Sequence, residues 1–184
     1  MFDYMIEVAG IDPNRFVFLD ETCVKVEMLP RYLRSKRGER AKISQRNYRG
    51  KRYTLLAGLN IKQPIAPFVI EGSMTKDVFI AYLTEFLVPE LKPNQIIVMD
   101  NLSSHKSSMV KEIIEAAGAK LLYLPPYSPE RNPIELAWSK LKTYLRKRKT
   151  KTEEGLYKAV RAGLNKINKR DCINWFAHCG HSQP

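Results

Sequence analysis

Three carboxylates occupy places in the sequence from which they could share one metal site. Asp20 and Asp100 each come directly after a short apolar run, FVFL and IIVM, that is typical of a buried strand. Glu135 follows a proline-rich loop and falls in the first turn of a predicted helix. Because ligands of α/β sheets sit beyond the carboxyl ends of the strands, we expect the three side chains to converge there.

The chemistry of such a cluster is that of hard divalent cations. Carboxylates brought close together repel one another unless a cation joins them, and oxygen ligands suit Mg²⁺, or Mn²⁺ as its substitute. Two ions about 4 Å apart can activate a nucleophile and stabilise the leaving oxygen of a phosphodiester. Taken singly, each carboxylate also fits a structural role, as a turn or cap residue or as a complement to a helix dipole.

The elements that must position these residues alternate along the chain. Strands are predicted at residues 16–20, 54–60, 65–72, 95–100 and 120–125, and helices at 75–88, 107–117, 133–145, 156–167 and 171–176. The later alternation of strand and helix predicts a parallel portion of sheet, and the short link before residue 65 an antiparallel portion. We therefore expect one α/β domain over residues 16–184, with a mixed sheet of about five strands flanked by helices. Residues 1–15 would form a leader.

A strong positive charge indicates a polyanionic partner. The formal net charge is +12, and nucleic acid is the commonest polyanion. Ten Lys or Arg residues and one acid lie between residues 31 and 52. A second basic run contains Lys140, Lys142, Arg146, Lys147, Arg148, Lys149 and Lys151. We expect at least one run to contact DNA phosphates. The alternatives are a solvated helix end for the second run, and a partner-subunit contact or a floppy insertion for the first.

The cysteines and the apolar segments limit the class of protein further. Three cysteines are an odd number and argue against a disulfide framework. The amino terminus lacks the pattern of a signal peptide, and no apolar stretch approaches a membrane span of roughly 20 residues. These features favour a cytoplasmic protein without membrane contact. Near the carboxyl terminus, the spacing of Cys172, His178, Cys179 and His181 fits no standard zinc finger, so the cysteines are interpreted as packing residues.

The segments around the three acids resemble a known family. FLDET, VMDNLSSH and YSPERNPIELAWSKLK are similar to the catalytic domain of the mariner-like superfamily of transposases, particularly its bacterial insertion-sequence branch. The 34 residues between Asp100 and Glu135 match a spacing typical of that group. The resemblance runs from about Phe16 to the carboxyl terminus. It implies a ribonuclease-H-like fold, with Asp20, Asp100 and Glu135 as the catalytic metal-binding triad.

The resemblance also implies a reaction and its participants. With two Mg²⁺ ions, the triad would cleave phosphodiesters at transposon ends and then transfer the freed 3′-OH into target DNA. Asn101, His105 and Asn132 flank the acids, and we expect them to orient the triad or to touch DNA; a polar residue at a helix start is the alternative for His105. A homodimer acting on DNA near the bacterial nucleoid is implied as well.

One departure from the family concerns recognition of the transposon ends. Related transposases carry an amino-terminal helix-turn-helix region, and the 19 residues before Asp20 are too few for it. We expect a separate DNA-binding protein or a frameshift product to supply that region, and this chain alone to bind DNA with little sequence preference. Three other functions stay open: another ribonuclease-H-like nuclease, a non-catalytic DNA-binding relic, and a regulator of a full-length transposase. The intact triad favours the enzyme.

Overall fold

A five-stranded mixed sheet forms the centre of the computed structural model, which describes residues 4, 7–29, 32–42, 51–101 and 107–181. The strands are β1 (Phe16–Lys25), β2 (Arg52–Leu59), β3 (Pro64–Glu71), β4 (Ile96–Met99) and β5 (Lys120–Tyr123). Their spatial order is β3-β2-β1-β4-β5. The first three are antiparallel, and β4 and β5 run parallel to β1. The predicted mixed sheet of about five strands is confirmed.

Five α-helices flank the sheet in the described part of the chain. They are α1 (Lys76–Tyr82), α2 (Ser108–Ala116), α3 (Pro133–Arg148), α4 (Glu153–Leu164) and α5 (Lys169–His178). The sequence predicted the starts of α1 and α3 for the right reasons. The Thr75 hydroxyl caps α1 by accepting a hydrogen bond from the Val78 amide at 3.3 Å, and Pro133 occupies the first turn of α3, where its missing N–H is not needed.

The two faces of the sheet bury separate apolar clusters. On one face, Phe16 and Phe18 of β1 pack with residues of α3, α4 and α5. On the other face, Val17 and Leu19 pack with α1 and α2. Successive strand residues point to opposite faces, so a strand covered on both sides reads as an unbroken apolar run. This is why FVFL at residues 16–19 shows no alternation.

The first strand continues beyond the predicted end at Asp20. It pairs with β2 residue by residue from Phe18 opposite Leu59 to Lys25 opposite Arg52. The extension contains buried Thr22 and Val24 between more exposed neighbours, the pattern of a half-buried strand. On its other side, β4 ends at Met99, opposite Leu19. Asp20 therefore lies within β1 at the point where the neighbouring strand stops.

Candidate active site

The first of the three acids, Asp20, is held inside the protein by a hydrogen bond to a tryptophan. Its side chain is on β1 and the residue is only 8% exposed. The indole N–H of Trp138, a buried residue of α3, donates to Asp20 Oδ2 at 3.0 Å. Trp138 lies three residues after Glu135, so both side chains are on the same side of the helix. One helix thus carries the third acid and a residue that orients the first.

The structure brings the three predicted acids to one cleft of about 400 Å³. Asp100 reaches it because β4 ends one residue earlier, at Met99. Glu135 reaches it from the first turn of α3, where a negative charge is favourable to the helix dipole. The other residues that line the cleft are Asn101, Leu124, Pro125, Pro126, Tyr127, Ser128, Pro129 and Asn132.

Two asparagines leave acceptor oxygens unpaired in this cleft. Asn101 Oδ1 and Asn132 Oδ1 are buried and have no hydrogen-bond partner among the described residues. Asn132 is the residue before α3, yet its side chain makes no capping hydrogen bond there. Asparagine at this position normally accepts from a helix amide, and a buried polar atom without a partner costs free energy. Both oxygens are therefore available to a ligand of the cleft.

The electrostatics of the cleft oppose a buried negative charge. The pKa of Asp20 is raised to about 7, mainly by burial and in smaller part by the nearby carboxylates of Glu135 and Asp100. Hydrogen bonds from the Glu21 amide and the Trp138 indole act in the opposite direction, because they favour the ionised form. A bound cation would remove the repulsion, which is the usual reason for proteins to gather carboxylates in this way.

The donors of the cleft fit a hard divalent cation. They are carboxylate and amide oxygens, the ligand types that Mg²⁺ and Mn²⁺ prefer. Within the described ranges, however, no three His, Cys, Asp or Glu side chains lie close enough together to hold an ion. Asp20 is fixed by its hydrogen bond and buried, whereas Glu135 is exposed. We therefore expect the more exposed acids to move towards Asp20 when an ion binds.

Comparison with known proteins identifies the family. The family model described as DDE superfamily endonuclease matches residues 15–157, a span that contains all three acids. The chain belongs to the DDE superfamily endonucleases. No curated protein sequence matches this family member.

Solved structures of the Mos1 transposase share the fold of this DDE endonuclease. The pre-cleavage Mos1 transpososome superimposes with a TM-score of 0.76 at 14% identity, covering 91% of this chain and 53% of the Mos1 chain. The Mos1 mariner paired-end complex with Mn gives 0.74 at 17% identity, with coverages of 91% and 53%. The catalytic domain alone gives 0.66 at 14% identity, covering 91% and 78%.

These likenesses confirm the expected ribonuclease-H-like fold, and the family match confirms the resemblance to DDE transposases. The chain spans about half the length of the Mos1 chains in the complexes with DNA ends. Its membership of the bacterial insertion-sequence branch stays a prediction. None of the helices in the described ranges is both long and apolar enough to span a membrane.

The predicted basic residues of this DDE endonuclease do not line the cleft. His105 lies outside the described residues. Lys140 forms an ion pair with Asp171, so its charge already has a protein partner. The Arg148 guanidinium donates to the Tyr144 hydroxyl at 2.8 Å. Lys142, Arg146, Lys147 and Lys149 are half-buried or exposed on the second half of α3 and the residue after it. Their contact with DNA stays a prediction.

Two functional contacts escaped the sequence analysis. Trp138 was not predicted as a site residue, although its spacing from Glu135 places it on the same side of α3. His181 was interpreted only as part of a doubtful zinc pattern. Its ring Nε2 lies 2.8 Å from the Arg131 carbonyl oxygen, and burial lowers the pKa of His181, which favours the neutral ring. The contact ties the carboxyl-terminal segment to the loop that precedes Glu135.

Proposed function

We propose that this chain is a transposase catalytic domain that cleaves phosphodiesters at transposon ends and transfers the 3′-OH strand into target DNA. The observation that carries the proposal is the convergence of Asp20, Asp100 and Glu135 on one cleft of a ribonuclease-H-like fold. The family match and the fold shared with Mos1 complexes that contain transposon ends support DNA as the substrate. Mos1 structures with Mg and with Mn support divalent metal dependence.

In this proposal the three acids hold two divalent ions. When bound, the ions activate the attacking oxygen and stabilise the leaving oxygen of an in-line displacement. Trp138 fixes Asp20 by donating its indole N–H to Oδ2. The unpaired oxygens of Asn101 and Asn132 would be available to help hold the ions or to accept hydrogen bonds from bound water. Neither reaction step requires a covalent protein intermediate, so no Ser, Tyr or Cys nucleophile is assigned.

The positive surface would hold the phosphate backbone beside the cleft. Arg146 lies eleven residues after Glu135 on α3, which is about 16 Å along the helix axis. DNA that enters the cleft could therefore also contact the basic end of the same helix. We further propose that two copies act together on DNA, supported by the paired-end complexes of Mos1, and that the basic segment before β2 contributes to DNA binding.

Plasmid nicking tests this function directly. We expect the purified chain to nick or join ends of plasmid DNA in Mn²⁺, and to lose the activity with EDTA or with Asp100→Asn. Asp77→Asn is the matched control, because Asp77 is exposed on α1 and does not line the cleft. It removes the same charge and should cleave like the wild type.

The other outcomes separate the alternatives. Strand breakage that survives Asp100→Asn would show that the active site has been placed wrongly. DNA binding without breakage by the wild type would contradict the proposed cleavage and favour a non-catalytic relic or a regulator of a full-length transposase. Nicking without any joining would favour another nuclease with this fold. A footprint confined to one sequence would contradict the expected weak sequence preference.

A further inference from the structure

A single aromatic side chain stands out from the wall of the cleft. Tyr127 is 101% exposed, so its ring makes almost no contact with the rest of the protein. It nevertheless lines the cleft that contains Asp20, Asp100 and Glu135. An aromatic ring normally contributes to stability by being buried. Full exposure at this place therefore needs a reason other than folding.

The backbone holds the ring in this exposed position. Tyr127 has φ of 55°, in the left-handed region that bulky residues rarely adopt. The neighbouring Pro126 restricts its own φ, and Ser128 is buried, with its hydroxyl donating to the Pro126 carbonyl at 3.3 Å. The loop is thus anchored on both sides of Tyr127. Strained residues persist only where the surrounding structure imposes them, and they concentrate at functional sites.

The position of the ring indicates which class of ligand it would contact. A scissile phosphate must reach the acids at the bottom of the cleft, and the base of an adjoining nucleotide then lies within reach of the cleft wall. Nucleobases stack on exposed aromatic rings, and this contact tolerates any base because every base has a π face. An apolar protein partner is a poorer fit, because it would bury the carboxylates of the cleft and would leave the acceptor oxygens of Asn101 and Asn132 unpaired.

We propose that Tyr127 stacks on a nucleobase next to the scissile phosphate and so positions the strand for cleavage. The inference rests on the proposed function, since it needs DNA to be cut in this cleft. The contact would hold a nucleotide that is unpaired or splayed out of the duplex. It would also give the isolated chain a way to grip DNA that does not depend on sequence.

Cleavage mapping on DNA that lacks single bases tests the contact. End-labelled oligonucleotide duplexes, each with one abasic site, are cut in Mn²⁺ and the positions of the breaks are read on a denaturing gel. The cut phosphate reports which nucleotide occupied the cleft, and distant phosphates on the same strand serve as the internal standard. For the wild type we expect cutting at one fixed offset from the abasic site to fall about 10-fold, the effect of one lost stacking contact.

The variants separate stacking from backbone strain. Tyr127→Ala should show weaker cutting everywhere and no local fall at the abasic site. Tyr127→Asn should behave in the same way, because Asn tolerates the left-handed backbone but has no ring. Tyr127→Phe keeps the ring and should keep the local fall. Tyr157→Ala is the control, since Tyr157 lies on α4 and does not line the cleft; it should also keep the local fall.

Four results would overturn the inference. A wild-type pattern with no local fall, or a local fall that persists in Tyr127→Ala and Tyr127→Asn, would show that the ring does not stack on a base. A change of oligomeric state in Tyr127→Ala with an unchanged cleavage pattern would assign the ring to a protein contact. A wild-type chain that binds DNA but cuts nowhere would instead overturn the proposed function, and this inference with it.

Discussion

Two concave surfaces of similar size differ in the physical state of their polar groups. The cleft at the acids measures about 400 Å³, and a groove between β3 and α4 measures about 500 Å³. The groove is lined largely by apolar side chains such as Val69 and Leu164. The cleft holds a carboxylate with a raised pKa and two unpaired amide oxygens. Volume alone would favour the groove, whereas the unfavourable burial of polar groups favours the cleft as the candidate site.

The largest expected difference between the two surfaces concerns catalysis. Glu135→Gln should lower Mn²⁺-dependent strand cleavage by roughly 10³-fold, because the proposed site would lose a charged ligand for its ions. Arg161→Gln, which changes one charge in the groove, should leave the rate within about 3-fold, a change of under 1 kcal/mol. Single-turnover rates on plasmid DNA measure both. Equal losses in the two variants would remove the distinction between cleft and groove.

The next prediction concerns the hydrogen bond inside the cleft. Trp138→Phe should weaken Mn²⁺ binding by about 10- to 100-fold, the usual cost of losing a partner that orients a metal ligand. Trp175→Phe is the matched control, because Trp175 lies on α5 and does not line the cleft. Titration of each protein with Mn²⁺, followed by electron paramagnetic resonance, gives the two affinities. Unchanged Mn²⁺ affinity in Trp138→Phe would show that the indole only fills space.

The free energy of unfolding should rise when the negative charge of Asp20 is removed from the cleft. Because the pKa of Asp20 is raised to about 7, the folded protein holds this proton more tightly than the unfolded chain does. The metal-free protein should therefore lose stability as pH rises from about 4 to 7, the range between the unfolded and folded pKa values. Asp20→Asn should raise the free energy of unfolding by roughly 1–3 kcal/mol at pH 8 and by little at pH 4.

Urea unfolding in EDTA measures this difference in stability at the two pH values. Added Mg²⁺ should shrink it, because the ion offsets the charge repulsion only in the wild type. Asp77→Asn on the exposed start of α1 is the control for the loss of one carboxylate outside the cleft. A destabilised Asp20→Asn at pH 8 would mean that the hydrogen bonds to Asp20 outweigh the cost of burying its charge.

The smallest effect is expected at the hydrogen bond between His181 and the loop that precedes Glu135. His181→Phe removes the ring nitrogen that bonds to the Arg131 carbonyl and should cost about 1–2 kcal/mol of stability. The pKa of His181 is lowered by burial, so its contribution is present at pH 8 and lost as pH falls below its unfolded value. The denaturation curves of the wild type and His181→Phe should therefore differ at pH 8 and come close together at pH 5.5. The control Tyr157→Phe, which changes a residue of the groove, should differ from the wild type by the same amount at both pH values.

Much of the fold could be predicted because local pattern and tertiary burial agree. The run FVFL is buried on both faces, Thr75 caps α1, and Pro133 begins α3, as the residue types indicate. The acids could be placed at one sheet edge for the same reason. The second half of β1 was missed, since ETCVK contains polar residues whose strand pairing depends on β2. Local sequence carries no information about that partner.

The contacts that orient the residues of the site join positions that are far apart in the sequence, so local spacing does not predict them. The Trp138 N–H meets Asp20 across 118 positions of sequence, and His181 meets the Arg131 carbonyl across 50. The exposure of Tyr127 is equally hidden, because a tyrosine between prolines reads as an ordinary loop residue. The sequence could identify which groups carry charge. Which of them would be buried, paired or left unpaired required the structure.

The different lengths of neighbouring strands determine where the chain can accept inserted residues. β1 has ten residues and β4 has four, and the cleft opens where β4 stops beside Asp20. A longer β4 would fill the space above Asp20 with backbone. One residue inserted before Asp100 would also turn its side chain to the opposite face of the sheet. Insertions should therefore be excluded between residues 96 and 100 and tolerated in the turn between β2 and β3, which does not line the cleft.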